Sequence, residues 1–338
     1  MPKMTAMAVT HGGAKLQRVE RNVPQPGPKE LLIRVHACGV CHSDSFTVEG
    51  KIAGIVFPRV PAHEVVGSIE AVGSNVEGWK IGDRAGVGWF GGSCGYCSRC
   101  RRHEAFACEN IHALTGVTRD GGYASHMLAD VSAVAHVPAD LDDVESAPLV
   151  CAGVTTFNAL RNSGAQPGDL VAILGVGGLG HLAVQFAARQ GFRTVAVNRG
   201  RDKEAMIRSL GAHDYIDSMA GDPGEALQKL GGARVILATV TSAEAMQSVL
   251  SGLGPNGTLM IIGAVSSFPI NPAAMIGKST SVKGCFSGVA TESEDTLRFC
   301  QLHRISPMNE VYPFEEAQAA YDRMMSGKAR FRVVLKMT

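Results

Sequence analysis

Aromatic side chains are scarce in this 338-residue chain, at 6% of the total. A stacking platform for single-stranded nucleic acid is therefore not expected. Net charge is nearly absent too: 32 Lys and Arg stand against 31 Asp and Glu, leaving +1. That balance gives no bulk attraction to nucleic acid or to an anionic membrane. No stretch approaches the roughly 20 apolar residues of a membrane span, and the first residues lack the apolar run of a secretory signal. There is no repeat, no low-complexity tract and, among the 40 glycines, no collagen period. A cytoplasmic protein with a small-molecule ligand is the expectation. What is present fits a globular fold: 45% hydrophobic and 19% charged residues. A single core stops growing near roughly 250–300 residues, so two domains are expected. The nine cysteines then point to metal binding or catalysis more than to disulfides.

The chain changes character twice. Up to about residue 150, short apolar runs at 31–35, 64–72 and 85–87 are punctuated by single glycines, as in an irregular β-rich domain or barrel. From about residue 153, strand and helix patterns alternate. Strands are expected at 170–174, 194–197, 214–216, 234–240 and 258–262, and helices at 179–190, 201–210, 225–230 and 243–250. Such alternation predicts a doubly wound parallel sheet. After about residue 284 come a helix near 292–302, a second opened by Pro313, and a closing strand at 331–336. An isolated terminal strand needs a sheet to join, so this tail is expected to return to the first domain. The domains so drawn are 1–152 with 287–338, and 153–286.

Cys94, Cys97, Cys100 and Cys108 fall in one Gly-rich loop, a lobe at about 91–110. Four thiolates this close can enclose a tetrahedral zinc with no open position, which makes the site structural. Arg99, Arg101 and Arg102 lie among them and would offset negative charge. An iron–sulfur cluster or free thiols are the competing readings. A second set is scattered: Cys41, His63 with Glu64, and Cys151. Two Cys, one His and an open position make a catalytic zinc arrangement, in which the metal acts as a Lewis acid toward a carbonyl or alcohol oxygen. Spacing alone does not establish this set, since a lone buried Cys is usually a small hydrophobe.

Residues Gly175, Gly177, Gly178, Leu179 and Gly180 fit G-x-G-x-x-G between an expected strand and helix. That context suits a pyrophosphate cradle. A second match at 252–257 follows a helix and precedes a strand, the wrong order for one. The next strand ends at Asn198 and Arg199, with Lys203 close behind, where NAD binders usually carry an acid. The missing carboxylate and the guanidinium favour NADP(H) over NAD(H). Alternatively these basic residues are a solvated face.

Taken together these elements resemble the zinc-dependent medium-chain alcohol dehydrogenases. The likeness rests on 39–44, His63-Glu64, the four-cysteine lobe, 151–155 and the 175–180 turn, in the family's order, and spans nearly the whole chain. It implies a GroES-like catalytic domain interrupted by a Rossmann domain, with the active site in the cleft between, and two zinc ions per chain. By the same likeness Cys41, His63 and Cys151 hold the catalytic zinc, with Glu64 as an alternative ligand. Asp44 orients His63, and Ser43 handles the substrate proton. His42 and Arg332 contact the pyrophosphate, Thr155 and Val265 belong to the cofactor site, and Trp89 and Phe46 line the substrate pocket. Two departures stand out. Phe46 occupies the place of a relay histidine, and Ala62 that of a glycine before the His-Glu pair. The activity implied is reversible hydride transfer between NADP(H), or NAD(H), and a primary alcohol or aldehyde. A polyol or secondary-alcohol dehydrogenase, or a noncatalytic nucleotide sensor, are the alternatives. A homo-oligomer, tetramer or dimer, is expected.

Overall fold

The computed structural model describes residues 2–337. The chain forms two compact units, Met1–Val154 with Gly288–Thr338, and Thr155–Ser287.

The first unit is built on strand Glu30–Val40. Its 11 residues are apolar on both faces at most positions because three strands pair with it: Arg332–Lys336, Glu64–Val72 and His126–Asp130. The sheet runs Asn309–Pro313, Arg332–Lys336, Glu30–Val40, Glu64–Val72, Arg84–Val87, Val134–His136. Leu31, Ile33, Ile69 and Tyr123 are fully enclosed in its core. The closing strand does return to this sheet, with Val333 opposite Val40 in antiparallel register. An N-terminal hairpin, Lys3–Ala8 against Gln17–Asn22, was not expected from the pattern. Pro313 differs from its expected place: it ends strand Asn309–Pro313, and the helix Ala317–Met325 starts only after a 3-10 turn at Phe314–Glu316.

The second unit is a six-stranded sheet, parallel throughout. Its order is Asp214–Asp217, Arg193–Asn198, Leu170–Leu174, Ala233–Ala238, Leu253–Ile261, Ser281–Gly284. Strand order reverses beside Leu170–Leu174, the switch point where doubly wound sheets bind ligands beyond their strand ends. Leu170–Leu174 is buried at every position, as a central parallel strand requires. The sixth strand and the helix before it, Pro272–Lys278, go beyond the five expected strands. The glycines at 252–257 also take a different role from a separate turn. The strand starts at Leu253, and a Cβ on Gly257 would lie 2.7 Å from the Ala233 carbonyl oxygen. They admit close strand contact, not a phosphate.

Candidate active site

Four buried side chains from distant parts of the first unit converge. Cys41 follows the central strand, His63 precedes the next and Glu64 opens it, and Cys151 follows the 3-10 turn Ala147–Val150. One ligand atom from each lies within 4.8 Å of all the others. Strand pairing drives part of this: Gly39 sits opposite Glu64 in register. A Cβ at 39 would meet Glu64 Oε2 at 2.0 Å, so only glycine leaves room for that carboxylate. Ala62, just before His63, sits at φ 84°. The alanine thus takes the left-handed conformation that glycine favours, and the backbone turn into His63 is kept at a cost of about 1–2 kcal/mol.

Asp44 organises the ligands. Its Oδ1 lies 2.9 Å from His63 Nδ1, turning Nε2 toward the cluster. Its Oδ2 accepts the Cys41 backbone N–H at 2.9 Å and the Tyr123 hydroxyl at 3.0 Å. Arg332 donates to Glu64 Oε1 at 2.5 Å. The likeness to known dehydrogenases assigned Arg332 to the pyrophosphate; here its Nη2 is committed to Glu64 and to the Val40 carbonyl.

The charges are strongly shifted. The Cys41 thiol is held well below its usual range, first by the hydrogen bond with Cys151 and then, against burial, by His63. Cys151, the donor of that pair, is pushed up by the same bond and by burial. Burial works against the His63 cation, but Asp44 and Cys41 outweigh it and raise the imidazole to about 10. Burial raises Glu64 to about 7, opposed by Arg332.

Does this donor set fit a metal? His63 Nε2 and Glu64 Oε2 are buried with no hydrogen-bond partner among the described residues. Buried polar atoms are nearly always satisfied. Two unpartnered buried polar atoms beside two thiols match the donor types that zinc prefers.

Trp89 and Phe46 border the cluster. The Trp89 ring stands edge-on to His63 at 4.7 Å, and Phe46 to Trp89 at 6.2 Å. Ser43 is half-buried in the turn His42–Asp44, and its hydroxyl makes no hydrogen bond among the described residues; His42 is exposed.

In the lobe, Cys94 and Cys100 Sγ atoms are 4.0 Å apart, as are those of Cys97 and Cys108. Thiolates tetrahedral about zinc lie about 3.8 Å apart, given a metal–sulfur bond near 2.3 Å. Backbone N–H groups of residues 94, 97, 100 and 111 point at these sulfurs from 3.4 to 3.5 Å. No cysteine is in a disulfide. Of the arginines expected to offset the charge, Arg99 gives its Nη1 to Glu104.

The glycine turn lies at the switch point of the second unit. Gly175 has φ 85°, and a Cβ on Gly180 would lie 1.9 Å from the Gly175 carbonyl oxygen. A Cβ on Gly177 would meet nothing within 4 Å, leaving open space at the start of helix Gly180–Arg189. Tight turn, open approach and close helix–strand contact are what a pyrophosphate cradle requires. Asn198 Oδ1 accepts the Val176 N–H at 3.2 Å and so ties the turn to the next strand. Arg199 is exposed, and Lys203 and Val265 are half-buried. Thr155 Oγ1 is bonded to Ser287 Oγ at 2.7 Å. The pattern of residues does not reveal Asp217. It lies on the adjacent strand, and its carboxylate takes the Gly200 and Met219 N–H groups at 2.8 and 2.9 Å.

Family models match both parts of the chain: an alcohol dehydrogenase GroES-like domain at residues 27–139 and a zinc-binding dehydrogenase domain at 178–301. An alcohol dehydrogenase, notN, of an Aspergillus species is 44% identical over 92% of this chain and 91% of its own length. An alcohol dehydrogenase of Geobacillus stearothermophilus is 36% identical over 96% and 95%. Among solved structures, a Helicobacter pylori protein described as CAD complexed with NADP(H) superposes with a TM-score of 0.87 at 26% identity, over 99% of this chain and 98% of its own.

Proposed function

The chain belongs to the zinc-dependent medium-chain alcohol dehydrogenases, and we propose that it reversibly transfers hydride between NADP(H) and an aldehyde or primary alcohol at Cys41, His63 and Cys151. The observation that carries this reading is the convergence of four buried ligand atoms, two of them orphaned. Zinc bound there supplies Lewis acidity toward the carbonyl or alcohol oxygen. Asp44 keeps the His63 ring oriented and Nε2 free to ligate. Glu64, held by Arg332, would offer a fourth donor to the same ion. A bound nicotinamide would supply the hydride chemistry, and the Ser43 hydroxyl is the group that gives or takes the proton at the substrate oxygen. With Phe46 where relatives carry a histidine, no imidazole stands at that position to take the proton from Ser43, and a bound cofactor's ribose and water would have to carry it. Trp89 and Phe46 wall the substrate and keep water from it. Cys94, Cys97, Cys100 and Cys108 hold a second, structural zinc.

The turn containing Gly175, Gly177, Gly178, Leu179 and Gly180 binds the pyrophosphate. Thr155 and Val265 serve the nicotinamide side. Asn198, Arg199 and Lys203 serve the adenosine side, where Arg199 is exposed, makes no ion pair among the described residues, and suits a 2′-phosphate. Asp217, an acid on the adjacent strand, already accepts two backbone N–H groups. Initial rates of NADPH and NADH oxidation with one reactive aromatic aldehyde test the reading. Faster NADPH oxidation is the expected result. An NADH preference would remove the argument from Arg199, and no rate with either would remove aldehyde reduction.

A further inference from the structure

We propose that Tyr123 is a positioning residue for the metal centre, its phenol fixing the Asp44 carboxylate in the orientation that serves both the Cys41 turn and the His63 ring. This rests on reading Cys41, His63, Glu64 and Cys151 as a metal site. Tyr123 is fully buried, far in sequence from every ligand, and touches none of them with its hydroxyl. A buried hydroxyl must find a partner, and this one finds the carboxylate that already holds two ligand residues. One oxygen of Asp44 faces His63 Nδ1 at 2.9 Å, while the other receives Tyr123 Oη–H at 3.0 Å and Cys41 N–H at 2.9 Å. Without the phenol, a buried carboxylate keeps one fewer donor and is freer to rotate, and both ligand residues move with it.

The rest of Tyr123 is anchored to the same neighbourhood. Its backbone N–H donates to the Pro61 carbonyl at 3.2 Å, two residues before His63. The preceding Gly122 packs so closely on the ligand-bearing strand that a Cβ would lie 2.2 Å from Val65 Cγ2. The phenol is thus presented to Asp44 by a backbone with no room to shift. Partners beyond the direct ligands change metal affinity by about 10–100-fold when removed. As the outermost link, Tyr123 is assigned the lower end, about 10-fold.

The test uses the purified, metal-loaded protein and its Tyr123→Phe variant, which keeps the ring and removes only the hydroxyl. Zinc loss to an excess of chelator is followed in both, with Cys151→Ala marking the rate of the four-cysteine metal. The expected result is about 10-fold faster loss of the Cys41–His63–Cys151 metal, with the lobe metal unchanged. Equal rates in the two proteins, even with a lowered Tm, would overturn the proposal and leave the tyrosine a packing role. The same substitution in an Asp44→Asn background, where no buried charge is left short of a donor, serves if the single variant does not fold. There the hydroxyl's removal is expected to change nothing, and a full 10-fold effect would contradict action through Asp44. A wild-type protein that carries only the lobe metal would remove the underlying site reading, and this proposal with it.

Discussion

Single residues decide the chemistry. Cys41→Ala or Cys151→Ala is expected to abolish turnover while dinucleotide binding, followed by cofactor fluorescence, persists; full activity in either variant would refute the ligand assignment. Away from the metal, Asp143 is held below the ordinary carboxylate range, first by its hydrogen bond with His36 and then, against burial, by Arg84. Its contribution to stability is present above the unfolded pKa of about 3.9 and is lost as pH falls through the lower folded value. Asp143→Asn is therefore expected to cost about 1 kcal/mol at pH 7, with the gap to wild type closing in acid; denaturant melts across pH check this. Cys41, His63, Glu64 and Cys151 were legible in the sequence because their order and flanking residues match a known pattern, not because of spacing. Tyr123 and the Arg332–Glu64 pair were not. Their partners lie 79 and 268 positions away, and no local pattern marks them.

Elements were legible where a period is strong. Leu170–Leu174 and Glu64–Val72 lie where their apolar runs place them. Ends were less so: the helix expected from 201 begins only at Glu204, since Arg201 to Lys203 carry no apolar period. The hairpin Lys3–Ala8 with Gln17–Asn22 escaped because its second strand is largely exposed. The glycine turn makes a sharp contrast within one element. Gly180→Ala forces a Cβ to 1.9 Å from a carbonyl oxygen and is expected to cost about 1–3 kcal/mol. Gly177→Ala meets open space, so thermal stability should stay within about 0.5 kcal/mol while dinucleotide Kd rises at least about 10-fold. Calorimetry and a binding titration separate the two; unchanged affinity in Gly177→Ala would take the pyrophosphate away from this turn.

At the scale of the whole molecule, two clusters of metal-ligating side chains of different design share one unit. The lobe sulfurs are ringed by backbone N–H donors, whereas the other set keeps two buried polar atoms without a hydrogen-bond partner among the described residues. Cys97→Ser is expected to lower zinc from two ions per chain to one and to lower Tm, leaving the other site loaded; elemental analysis checks it. The split into a β-rich unit and a parallel-sheet unit followed from the change in hydrophobic period near residue 153, and the chain divides at Val154 and Thr155. The central claim is that hydride transfer needs the metal held by Cys41, His63 and Cys151. The most direct measurement is aldehyde-dependent NADPH oxidation in three samples: protein as purified, after chelation of the more labile metal, and after zinc is returned. Loss on chelation and recovery with zinc is the result this account requires. Undiminished turnover in the chelated sample, with zinc shown to be gone from that site, would contradict it.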